Sequence, residues 1–305
     1  MQPANFPRVI KANRIRRRIW GASVVLVAAL TGPIDAAEAE SKRPIDGIMD
    51  NSFLVEEAYN QEPGVVQHIF TAFYNVTRHR GPDDRNWDTS FTQEWPVFSR
   101  THQFSYTVPF SFLDSGGRHE DGIGDVLLNY RWQAFFREDT LTALAPRVSL
   151  LLPTGNEHRD LGEGSLGFQW NLPFSTGIRS NWFVHLNAGG TFLGDAHSAH
   201  GRSLYHHQFG ASVIYAINEE WHLMLESVGT WEETLNSRNN REYESSLLLA
   251  PGLRKAFNFK NGAQLVLGAS APIGVGGHAP DYGAFLYLSF EHFFSKRTEL
   301  SESQR

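Results

Sequence analysis

The sequence predicts an all-β fold, a transmembrane antiparallel up-and-down β-barrel of about twelve strands and of the outer-membrane type, and three observations carry that prediction. Apolar and polar residues alternate over long stretches, which gives each strand one face for an apolar medium and one for a polar medium. No apolar run reaches the roughly 18 residues of a membrane helix, and the mean hydropathy is −0.34, so helices do not cross a membrane here. Connections alternate between long and short, as in barrels with long external loops and short periplasmic turns.

The amino terminus supplies the compartment. Arg8, Lys11, Arg14, Arg16, Arg17 and Arg18 precede the apolar stretch 19–32, followed by Pro33 and the small-residue pair Ala37 and Ala39. Residues 1–39 read as a secretory signal peptide. At ~1.5 Å per residue the apolar stretch reaches about 21 Å, short of the ~30 Å hydrocarbon core, which disfavours a permanent anchor. Subtracting the leader's six basic and two acidic residues from 27 and 33 leaves 21 against 31, a formal charge of −10. That balance, with no basic block, excludes nucleic acid as a partner. With no cysteine in the chain, thiolate catalysis, Cys-based metal sites and disulfides are excluded, and a closed hydrogen-bonded sheet is the available source of stability.

Twelve strands follow in order. They read as 65–77, 90–98, 103–112, 122–135, 143–155, 164–174, 181–192, 205–217, 220–231, 243–257, 262–274 and 282–294. In 122–135, Val126, Leu128, Tyr130 and Trp132 face one way, and Asp125, Asn129, Arg131 and Gln133 the other. In 164–174, Leu166, Phe168, Trp170 and Leu172 oppose Ser165, Gln169 and Asn171. A soluble sandwich alternates too, but its strands usually run to five or six residues, whereas crossing a bilayer takes about nine to eleven. Trp95, Phe112, Trp132, Phe174, Trp182, Tyr205, Tyr215, Trp221, Phe290 and Phe294 lie near strand ends, where interfacial girdles form. Six long connections at 78–89, 114–121, 154–163, 193–203, 232–242 and 275–281 fall at one end, with both termini at the other. The sequence thus divides into signal peptide 1–39, a periplasmic segment 40–63, barrel 64–294 and a charged tail 295–305. Segment 40–63 does not alternate; the rim of the barrel is its favoured place, with a plug entering the lumen as the alternative.

Three motifs in order carry a resemblance: Gly122, Gly124 and Asp125 opening one strand; Leu152, Pro153, Thr154 and Gly155 closing the next; and Gly162, Gly164 and Ser165 opening a third. Over roughly 85–294 the chain resembles the outer-membrane family named for the MetA pathway of phenol degradation. The resemblance implies an outer-membrane barrel that passes small, often hydrophobic or aromatic, compounds. The chain departs from the pattern where residues continue beyond Phe294, since the terminal aromatic of the last strand normally closes the assembly signal.

Chemistry is sparse by comparison. His197, His200, His206 and His207 beside Asp195 suggest a metal, but the adjacent histidines point to opposite faces of a strand and the others lack helical spacing, so a polar external loop is the preferred reading and no metal is expected. His185 and Asn187 share a face, yet no serine carries a nucleophile elbow, so no catalytic residues and no enzymatic role are assigned. Acidic pairs such as Glu219 with Glu220 fall in connections and read as solvated charge, and no cofactor is implied. Glu94, Asp125, Asn129, Arg131, Arg147, Gln169, His185, Glu226, Arg254 and Glu291 fall on the polar faces. In hydrocarbon the charged ones would each cost up to about 2–4 kcal/mol, so these ten are the candidate lumen-lining residues. The expected function is a passive channel for small solutes in the outer membrane of a Gram-negative bacterium, monomeric, with outer-membrane lipid and the assembly machinery as partners. A non-conducting adhesion barrel with binding in its long loops is the alternative, and a lipid-acting barrel enzyme a weaker one.

Overall fold

The computed structural model describes residue 48, residues 50–236 and residues 238–293. The signal peptide, Phe294 and the charged tail lie outside the described residues. Alternation makes strands, and strands with one apolar face close on one another: β1 (Val65–Thr77), β2 (Asp84–Val97), β3 (Ser99–Ser115), β4 (Arg118–Ile123), β5 (Val126–Trp132), β6 (Phe135–Arg137), β7 (Thr142–Leu144), β8 (Arg147–Leu152), β9 (Gly167–Asn171), β10 (Phe174–Arg179), β11 (Trp182–Ala196), β12 (Arg202–Ala216), β13 (Trp221–Leu235), β14 (Arg241–Asn258), β15 (Gln264–Ser270), β16 (Ile273–Gly277) and β17 (Tyr282–Phe293). All pairings are antiparallel, and β17 returns to β1 with Val65 opposite Phe293 and Val76 opposite Tyr282. The barrel is closed and leaves no edge.

Seventeen segments make twelve staves, because β4–β6, β7–β8, β9–β10 and β15–β16 are each one stave with a break. Three of the five breaks fall at Pro146, Pro173 and Pro272, which lack the N–H a ladder needs. Their carbonyls still accept from the neighbouring stave, at 3.0 Å from Trp132 N, 3.1 Å from Ala145 N and 2.8 Å from Gly283 N, so the wall continues through them.

The apolar faces point outward. Phe70, Phe168, Leu186, Phe209, Leu225, Leu253 and Leu286 are exposed around the circumference, with Phe112, Trp132, Trp182 and Trp221 nearer the strand ends. A belt of this kind has lipid as its solvent, and this is an outer-membrane barrel located in the cell outer membrane.

Two expectations are corrected. Most of the long connections are short, because the strands run on past the membrane as hydrogen-bonded hairpins. The 114–121 connection reduces to Gly116 and Gly117, at φ 59° and 82° between β3 and β4, a two-residue turn whose positive φ suits glycine. Only 153–166 remains extensive. The rim position for the amino-terminal segment is also overturned, since residues 50–61 run inside the barrel and are almost wholly buried there.

Candidate functional site: an occupied lumen

The inward faces meet the amino-terminal segment rather than one another. On one side of the lumen Phe53 is fully buried against Phe285 and Tyr287, at ring-centroid distances of 5.7 and 5.6 Å. Gly252 and Gly268 make room for it, since a Cβ there would sit 2.7 and 2.4 Å from the Phe53 ring. Ile69, Phe73, Ile214, Met224, Leu248 and Val266 complete an apolar cluster that faces inward.

Polar side chains of the inner wall, some of them on the same strands as that cluster, grip backbone. Glu226 accepts from Leu54 N at 2.9 Å and Val55 N at 3.0 Å. Asn187 takes both backbone groups of Glu56, accepting from its N–H at 2.8 Å and donating to its carbonyl at 2.7 Å. Arg131 donates to the carbonyls of Glu57 and Tyr59 and to Asn60 Oδ1, and Gln133 to the Ala58 carbonyl. Arg254 donates to the carbonyls of Asp50 and Asn51, both at 2.7 Å. A segment with no strand partner has its backbone groups satisfied by wall side chains, which buried peptide groups require.

Charge is matched in the same place. The Glu56 carboxylate lies 3.0 Å from Arg147 and 3.5 Å from Arg131, and Asn171 donates to it at 2.6 Å. Burial alone would raise the Glu56 carboxyl, but Arg147, with Arg131 assisting, holds it down to about 2. Glu57, next along the chain, goes the other way: burial and then the Asp50 carboxylate push it well above the usual carboxylate range.

All ten lumen candidates are buried, and nine of them reach the amino-terminal segment directly or through one neighbour. Arg131, Arg147, Glu226 and Arg254 hold the segment directly; Glu291 touches it through Gln61 at 3.4 Å. Glu94 accepts from Gln103, which in turn accepts from Gln61 N. Asn129 and Gln169 both accept from Arg147 and so hold its fork. His185 pairs with Ser175 at 2.7 Å, and Ser175 Oγ accepts from Ala58 N.

Asp125 belongs elsewhere. Its two oxygens accept from Gly155 N at 2.9 Å and Glu163 N at 2.8 Å, while Thr154 donates to the Gly124 carbonyl and accepts from Val126 N. The three motifs thus converge on one knot that pins the 153–166 connection. Phe53 and Ser175 were missed at the sequence level, where the segment was expected at the rim with a plug as the alternative; the inward glycines opposite the inward Phe285 and Tyr287 were the available signal.

No family model matches the chain, and no curated protein does. Among solved structures, the COG4313 outer membrane channel from Pseudomonas putida F1 is similar at a TM-score of 0.58 with 16% identity, covering 78% of this chain and 98% of that one. The NanC porin is similar at 0.47 and 8%, covering 74% and 98%. The first of these likenesses shows the outer-membrane barrel fold; the phenol-degradation assignment finds no support in it. The expectation of no enzymatic role is withdrawn. A barrel fold by itself excludes no activity.

Proposed function

We propose that the chain is an outer-membrane channel for small solutes whose lumen is governed by residues 50–61. The carrying observation is the way this segment is held. Its backbone is bound by side chains of the wall and not by a strand ladder, so it can leave as a unit without breaking the closed sheet. The wall it would uncover carries Arg131, Arg147, Glu226 and Arg254, and charges of that kind sort solutes in a narrow pore.

The family resemblance narrows the solutes to hydrophobic or aromatic compounds, and the inward cluster of Phe73, Phe285 and Tyr287 that Phe53 covers is the part of the wall suited to them. Lipid contact through the apolar belt, delivery by the outer-membrane assembly machinery and a monomeric state complete this reading. Planar-bilayer recording on the purified protein tests it: resolved unitary currents above lipid background are expected, and their absence over the whole voltage range would overturn it.

A further inference from the structure

A cavity of about 300 Å³ opens beside the amino-terminal segment at the short-turn end of the barrel. Its size is at the lower end of small-ligand sites. Two of its lining residues are ionisable, opposite in sign and nearly fully buried: Arg254 on β14 and Glu57 on the segment. They do not pair with each other. Arg254 spends Nη1 on two carbonyls and Nε on His222 Nδ1 at 3.3 Å, and among the described residues it meets no carboxylate within ion-pair distance. The Glu57 carboxyl has no hydrogen bond or ion pair among them either, and it lines a second small cavity as well. Buried groups of this kind call for partners of opposite charge.

The histidines sharpen the polarity of the Arg254 side. His222 accepts at Nδ1 from Arg254, which leaves Nε2 as its N–H donor. Ser175 Oγ accepts from Ala58 N and meets His185 Nδ1 at 2.7 Å; with the Ser175 hydroxyl as donor to that nitrogen, His185 too keeps a donor at Nε2. The lining therefore brings a guanidinium and two imidazoles together with a carboxyl. Phe183, stacked on His222 at 6.2 Å, Tyr59 and Ile214 give the lining an apolar part, beside polar Ser180, Asn181, Asn218 and Glu219.

We propose that this cavity binds a zwitterionic amino acid with an apolar side chain: its carboxylate on Arg254 and the two imidazoles, its ammonium on Glu57, its side chain against Phe183, Tyr59 and Ile214. The inference rests on the channel reading, whose solute class it names. The charged groups acting on Glu57 are Asp50, Arg254, Arg131 and Glu291. Burial and Asp50 outweigh the two arginines and favour its neutral form, so an arriving ammonium binds with release of the Glu57 proton to solvent and then balances the carboxylate that remains.

Calorimetric titration of the full-length protein in detergent tests this, with L-phenylalanine, phenylacetate and phenethylamine as probes. Phenylalanine should bind about tenfold more tightly than either single-charge analogue, as expected for one added charge-assisted hydrogen bond. Glu57→Gln should remove that advantage over phenylacetate. Equal binding of phenylalanine and phenylacetate by the unaltered protein, or no binding of phenylalanine, would overturn the proposal, and this comparison needs no variant to fold. Binding with the predicted preference but no conductance would defeat the channel reading alone; conductance without the preference would defeat this one alone.

Discussion

The Glu56 carboxylate meets the Arg147 guanidinium 3.0 Å away in the lumen, and Asn187, two staves further on in β11, holds the backbone of the same glutamate on both its N–H and its carbonyl. One residue of the segment is thus fixed by charge and by a peptide-like clamp. Replacing Glu56 by Ala leaves Arg147 buried without its counter-charge, which costs about 3–5 kcal/mol of seating. In bilayer recordings Glu56→Ala should raise the open fraction of the channel; an open fraction equal to the unaltered protein would show that the segment does not govern passage.

Phe53 needs the space that two glycines leave. A Cβ on Gly268 would stand 2.4 Å from its ring, so Gly268→Leu should expel Phe53 without disturbing the outer face of β15. Removing Phe53 itself, as Phe53→Ala, should cost about 3–5 kcal/mol of segment binding. Both variants are expected to keep the far-UV circular dichroism of the barrel and to expose the segment to added protease; full protection in both would contradict the seat described for it.

A reversible lock is available because the chain has no cysteine. Ser52 Oγ donates to Ser212 Oγ at 2.9 Å, joining the segment to β12. The pair Ser52→Cys and Ser212→Cys should form a disulfide on oxidation and close the channel, and reductant should restore it. Oxidation that forms the bond without lowering conductance would count against a movable segment.

The two neighbouring glutamates pull in opposite directions with pH. Glu56 is depressed in the folded state to about 2, so its contribution is full above the ordinary value near ~4.3 and is lost as pH falls through about 2. Glu57 is raised, so its contribution is full below ~4.3 and is lost as pH rises through its elevated value. The segment is therefore held best in mild acid. Open fraction measured between about pH 3 and about pH 9 should pass through a minimum there and rise toward alkaline pH; a fraction that falls steadily with rising pH would contradict the assignment.

Strand order, closure and the lipid-facing side were legible because alternation records the solvent of each face, and the nine candidates other than Asp125 point inward for the same reason. What they face was not legible, since period two states that a side chain points inward and says nothing of its partner. Arg131 and Arg254 read as pore lining, yet they donate to carbonyls of a segment with no period of its own. The hairpin at Gly116 and Gly117 read as part of a long loop because polar residues continue a ladder above the membrane as readily as they form a loop. Asp125 read as lumen chemistry, and only the convergence of Gly155 and Glu163 on its oxygens shows a connection being pinned.

The most direct test of the occupied-lumen account is the single-channel conductance of the protein lacking residues 50–61, compared with the unaltered protein in the same bilayer. The account predicts a folded barrel with a larger and permanently open conductance. An unchanged conductance in a barrel with unaltered circular dichroism would contradict it.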